Sequence, residues 1–136
     1  MREILQKIQV HVPFHLLREK LLQRVIRDGI NPEIGFNHHD LDRFQTADFR
    51  DVADRLADTG LSVTFHAPFM DLRPGALDPR IRQITADRLR QVFDLIPWFR
   101  PRSVVCHPSF DERYYISTEA QWLENSLETW RALLGG

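Results

Sequence analysis

The sequence predicts an α/β protein: a parallel sheet with helices packed outside it. Three observations lead there. Short apolar runs alternate four times with segments of helical periodicity. Glycine or proline stands where each helical segment should stop. And three of the four apolar runs end in a histidine with proline close behind and phenylalanine at the third place after it: His11-Val12-Pro13-Phe14, His66-Ala67-Pro68-Phe69 and His107-Pro108-Ser109-Phe110.

The elements follow in order. "KIQVHV", ending at Val12, reads as a first strand, β-branched toward its end. In "FHLLREKLLQRVIRDG", Leu17, Leu21 and Val25 fall on one stripe with Leu22 and Ile26 beside it, and Gly29 sits at the helix C-terminus. "PEIGFN" is a second, weaker strand because of Gly35. "TADFRDVADRLADTG" is a second helix, with Asp48 as N-cap, Phe49, Val52, Ala53 and Leu56 as its apolar face, and Gly60 as its stop.

"LSVTFHA" is the third strand, and the loop "PFMDLRPGAL" follows it. Asp78 then caps a third helix that begins at Pro79. Its apolar residues are Ile81, Ile84, Val92, Phe93 and Ile96, and Pro97 and Pro101 end it. "SVVCH" is the fourth strand, an unbroken apolar run of the buried parallel type. Thr118 and Gln121 form a capping box for the last helix. Trp122, Leu123, Leu127, Trp130, Leu133 and Leu134 are its expected buried face.

Composition narrows the function classes. The chain has 136 residues, 43% hydrophobic and 27% charged, with a net charge of −1. That suits one globular domain and gives no global field for nucleic acid or an anionic membrane. Basic residues are 16 Arg and 2 Lys, interleaved with acids, which reads as a solvated surface. A single cysteine, Cys106, excludes an internal disulfide and reads as a buried core thiol. No apolar run is long enough to span a bilayer, and the N-terminus lacks a signal-peptide core, so the expected location is the cytoplasm.

Alternation of strand and helix leaves two architectures: an open doubly wound sheet or part of a (β/α)8, or TIM, barrel. Neither G-x-G-x-x-G nor G-x-x-x-x-G-K-[ST] occurs, which argues against nucleotide binding. The histidines favour the barrel. Parallel α/β folds gather their chemistry at the carboxyl ends of strands, and His11, His66 and His107 all fall there. Asn37 and His38 occupy the same place after the second strand. The repeated tetrapeptide thus marks one repeated location, the mouth, with Phe14, Phe69 and Phe110 as candidate walls. Imidazole suits a divalent metal of the Zn, Mn or Fe class. The nearest acids are Asp71, Asp111, Glu112 and Glu33, although Glu33 opens its strand and reads as lying at the wrong end.

"FHAPFMDLRPGALDPRIRQITADRLRQ" followed by "SVVCHPSFD" resembles the xylose isomerase-like TIM-barrel superfamily, with H-x-P ending strand three and V-V-x-H-P ending strand four. "PEIGFN" with a following "LD" resembles the second strand and loop of its isomerase-like members. The superfamily joins sugar phosphate isomerases and epimerases with nucleases of the endonuclease IV type. The resemblance covers roughly residues 5 to 134 and implies that residues 1–136 form one half-barrel domain of four strand–helix units, the N-terminal half.

It implies metal ligation by His66 and His107, whose counterparts bind metal in the nuclease-like members. It implies substrate contacts from His11 and Glu33, with a carbohydrate substrate, a divalent metal and metal-assisted proton transfer; Asn37, a polar group at a strand end, is a further candidate for substrate binding. The late-strand carboxylate ligands and base of the family have no counterpart here, so the chain reads as incomplete alone. A second half-barrel, from the same gene product or by self-association, is the expected partner. An endonuclease IV-like phosphodiesterase and a non-catalytic assembly-forming half-barrel are the alternatives.

Overall fold

The computed structural model describes residues 2–135. Its strands are β1 (Val10–Pro13), β2 (Pro32–Gly35), β3 (Thr64–His66) and β4 (Val104–Val105). They form one parallel sheet in the order β1-β2-β3-β4. Consecutive parallel strands joined by helical crossovers are the repeating unit of α/β folds, as expected.

The helices are α1 (Arg2–Leu5), α2 (Phe14–Leu16), α3 (Leu22–Asp28), α4 (His38–Arg43), α5 (Thr46–Ala57), α6 (Pro79–Phe93), α7 (Ile96–Phe99) and α8 (Glu119–Leu134). A π-helical stretch, Leu17–Leu21, joins α2 to α3. It shifts the apolar register, so Leu17, Leu22 and Val25 are the buried positions and Leu21 is only half-buried. Gly29 ends α3 in the left-handed conformation, φ 67°, which glycine adopts without a Cβ penalty.

Strand periodicity sorts the sheet into two faces. Val12, Ile34 and Phe65 share one row and are buried at 6%, 0% and 0% exposure beneath the helices. Around them Phe14 packs 4.6 Å from Phe49 and 5.2 Å from Phe44 between ring centroids. Burying each such side chain contributes about 1.5–3 kcal/mol. The other face carries His11, Glu33 and Thr64 in one row, and Pro13, Gly35, His66 and Val105 in the next. That face is the concave, polar side of the half-barrel.

Several elements depart from the sequence expectation. The N-cap of α5 is Gln45, whose N–H donates to Asp48 Oδ2 at 2.8 Å, so Asp48 acts from inside the first turn. Asp78 does cap α6, accepting from the Arg80 N–H at 2.8 Å. That helix stops at Phe93, and its buried residues are Thr85, Ala86, Leu89 and Val92, with Ile81 and Ile84 exposed. Thr118 precedes α8 without a side-chain cap, and Gln121 instead donates to Asn125 Oδ1 at 2.9 Å.

The largest reversal is in α8. It buries Asn125, Ser126 and Thr129, while of the expected face Trp122, Trp130 and Leu133 are half-buried and Leu123, Leu127 and Leu134 exposed. The reason is the loop before α6. Its carbonyls need donors once buried. Thr129 Oγ1 donates to Pro74 O at 2.8 Å and Asn125 Nδ2 to Ala76 O at 3.1 Å. Gly75 lies so close under Trp122 that a Cβ there would fall 2.5 Å from the indole. Polar pairing with this loop therefore decides which face of α8 turns inward.

β4 is likewise not the buried strand expected. Val105 is 40% exposed and Cys106 half-buried, because β4 is an outer strand with one neighbour. β1 is the other outer strand, and Ile4, Ile8 and Val10 are exposed beside it. No helix among the described residues is long and apolar enough to cross a membrane.

Candidate functional site

The polar face converges on His66, the last residue of β3. Its Nδ1 lies 3.1 Å from Glu33 Oε1, and its Nε2 lies 2.8 Å from His107 Nε2. Its ring is parallel to that of His107 within 8°, with centroids 5.1 Å apart. Phe69 packs against both rings, its centroid 4.5 Å from that of His107 and 5.7 Å from that of His66. His11 stands edge-on to His66 at 5.6 Å.

Glu33 reaches this cluster although it is only the second residue of β2. It faces the concave side one row below His66, so its side chain rises past Gly35 to the imidazole. The wrong-end reading of Glu33 is thereby corrected: in a four-residue strand one row is a single side-chain length. Gly35 also makes room for His11. A Cβ at Gly35 would lie 2.4 Å from His11 Nε2, so a larger residue there would push the exposed His11 ring aside.

One donor atom from each of His11, Glu33 and His66 lies within 4.8 Å of the other two. Two imidazoles and a carboxylate, drawn from three neighbouring strands, fit a divalent ion of the Zn, Mn or Fe class. Asp71, Asp111 and Glu112 belong to no such group among the described residues.

The remaining expected site residues are placed as follows. Asn37 is the N-cap of α4, its Oδ1 accepting the Asp40 N–H at 2.8 Å, so that oxygen is committed to the helix start. Asn37 also lines a cleft of about 360 Å³ with Phe36, His38, Phe69, Met70 and Arg88. Phe69 is a wall of the mouth, but Phe14 and Phe110 are not. Phe14 is fully buried in the core, and Phe110 packs 4.6 Å from Trp122. Burial pushes the half-buried Cys106 thiol above its ordinary range, which disfavours the nucleophilic thiolate. A larger groove of about 690 Å³, lined by Arg50, Trp98, Arg100 and Arg102 among others, opens at the opposite end of β3 and β4 and contains no imidazole.

One pair escaped sequence reasoning. Asp40, fully buried, receives His15 Nδ1 at 3.0 Å and the His15 backbone N–H at 3.3 Å. It thereby ties the start of α2 to α4. A contact across 25 residues leaves no local pattern to read.

No family model matches the chain, and no curated protein does either. Solved structures do match. A D-tagatose 3-epimerase-like protein superposes with a TM-score of 0.69 at 18% identity, over 92% of this chain and 47% of that one. The likeness shows the fold: a parallel four-stranded α/β sheet that corresponds to half of a TIM barrel. A Thermus thermophilus protein soaked with zinc chloride gives the same TM-score at 20% identity, over 92% and 52%. The D-psicose 3-epimerase of Clostridium cellulolyticum, solved with D-tagatose, gives 0.62 at 11% identity, over 93% and 47%. The half-barrel thus spans about half the length of the structures it matches.

Proposed function

We propose that residues 1–136 are the half-barrel domain of a sugar isomerase or epimerase-type protein that works by metal-assisted proton transfer. One observation carries this reading: on a fold shared with a D-tagatose 3-epimerase-like protein and a D-psicose 3-epimerase, one face of the sheet brings His11 and Glu33 together with His66 and His107. A divalent ion, when bound, supplies Lewis-acid polarisation of a sugar carbonyl and its neighbouring hydroxyl.

The chain's own residues bind and orient. His66 and His107, the ligands that the family resemblance suggests, stand at the mouth, and Glu33 lies 3.1 Å from His66 Nδ1. Phe69 gives an apolar wall against which a sugar ring face packs. The adjoining cleft at Asn37 and Phe69 is the carbohydrate site. A carboxylate base that removes the proton next to the carbonyl belongs to the other half of the barrel. That half comes from the same gene product or from a second copy, and it covers the free edges of β1 and β4 together with the apolar stripe of α8. The cytoplasm is the compartment we assign.

The test is turnover by the native gene product. D-tagatose, D-psicose and D-fructose are supplied with and without a chelator, and the products are resolved by chromatography. We expect chelator-sensitive interconversion at one carbon, lost in His66→Ala. No interconversion of any sugar by a product that contains both barrel halves would overturn the reading.

A further inference from the structure

We propose that this chain by itself holds a complete three-ligand metal site, formed by His11, Glu33 and His66, with His107 as the group that orients His66. The proposal shares its mouth with the sugar reading above and sharpens which residues hold the ion.

Two arrangements fit the donors at first sight. An ion could sit between His66 Nε2 and His107 Nε2, with Glu33 accepting from His66 Nδ1–H. Or it could sit between His66 Nδ1 and Glu33, with His66 Nε2–H donating to His107. The distances separate them. Two nitrogens on one tetrahedral zinc, each at 2.0–2.1 Å from it, stand about 3.3 Å apart. The two Nε2 atoms are closer than that, at 2.8 Å, which is a hydrogen-bond separation. The 3.1 Å between His66 Nδ1 and Glu33 Oε1 is also within hydrogen-bond range, but it is nearer the spacing of two ligands on one ion.

The second arrangement also recruits a third ligand, and the first does not. His11 shares a group with Glu33 and His66 in which the donor atoms lie within 4.8 Å, and His107 is outside that group. His11 is exposed, so rotation of its ring closes the remaining gap without disturbing the core. Gly35 is the further sign of a built site. It leaves vacant the space a Cβ would take 2.4 Å from His11 Nε2, and this lets the imidazole lie over β2 toward Glu33. With Nδ1 on the ion, His66 keeps its proton on Nε2 and donates it to His107, which holds the ring's tautomer and angle. Phe69, stacked on His107, holds that ring in turn.

The site needs nothing from later strands. Three protein ligands leave a position open, as a catalytic ion requires.

Cobalt(II) titration of the 136-residue chain, read by visible absorption and followed by zinc competition, tests this. We expect one equivalent bound. His11→Ala, Glu33→Gln and His66→Ala should abolish it, with circular dichroism unchanged. His107→Ala should weaken binding by about 10–100-fold, the usual cost of losing an orienting partner. Gly35→Ala, which removes no donor, should also weaken it by displacing His11. Binding unchanged in both His11→Ala and Glu33→Gln, or abolished by His107→Ala as fully as by His66→Ala, overturns the proposal. Cobalt bound at the triad, with no sugar turnover by a product that contains both barrel halves, supports the site and counts against the sugar reading alone. Turnover that survives both His11→Ala and Glu33→Gln overturns the site and leaves the sugar reading.

Discussion

Replacing Asp40 by alanine tests whether the early strand ends are held by a buried carboxylate. Asp40 is inaccessible to solvent, and its carboxylate meets both the ring and the backbone N–H of His15. Two hydrogen bonds to a charged acceptor are worth about 1.5–3 kcal/mol each. The sum overstates the loss, because the His15 side chain is 34% exposed and water takes over part of its partnership. We therefore expect Asp40→Ala to cost about 2–4 kcal/mol, near the lower edge for breaking a buried pair. Asp40→Asn keeps the shape and one acceptor oxygen, so about half that cost is expected. Urea unfolding measures both: the midpoint should fall while the slope stays constant. The Asp40→Ala/His15→Ala cycle should show a coupling of about 1–2 kcal/mol. Losses below about 0.5 kcal/mol in both single Asp40 variants, the range of ordinary surface changes, would refute the reasoning.

Further outcomes follow from other parts of the fold. Thr129→Val should cost about 1–3 kcal/mol in urea unfolding, because it strands the buried Pro74 carbonyl. Leu134→Ala, at a side chain 73% exposed, should stay within about 0.5 kcal/mol. The opposite order would place the apolar stripe of α8 in a packed interface of this chain. Burial raises the Cys106 thiol, so alkylation by iodoacetamide at mildly alkaline pH should be slower in the folded protein than in urea. The same shift contributes stability that is present below the ordinary thiol pKa and lost as pH rises through the folded value. Equal alkylation rates would contradict it.

The alternation of strand and helix is legible in the sequence because it rests on local periodicity, and all four expected strands form. The mouth is legible for His66 and His107, because a histidine that ends an apolar run lands at a strand's carboxyl end. The failures share one cause: the deciding contact lies far along the chain. The apolar stripe of α8 reads as core, yet the carbonyls of Pro74 and Ala76 turn the helix so that Asn125 and Thr129 face inward and Leu123, Leu127 and Leu134 face out. The run at Val104-Val105 reads as a buried strand, yet its position in the sheet order makes it an edge. The π-helical stretch moves Leu21 off the buried stripe that helical spacing assigns it. Glu33 reads as misplaced along β2, and Gly35 as a weakness of that strand. Register across the sheet turns both into parts of the site, the glycine as the space His11 fills.

The most direct measurement is an anomalous difference map from a zinc-soaked crystal of this chain, recorded at the zinc edge. The account predicts one peak on the concave face, within about 2.0–2.2 Å of a donor atom from each of His11, Glu33 and His66. A peak bound by His66 and His107 alone, or no peak at this mouth at full zinc loading, would contradict it.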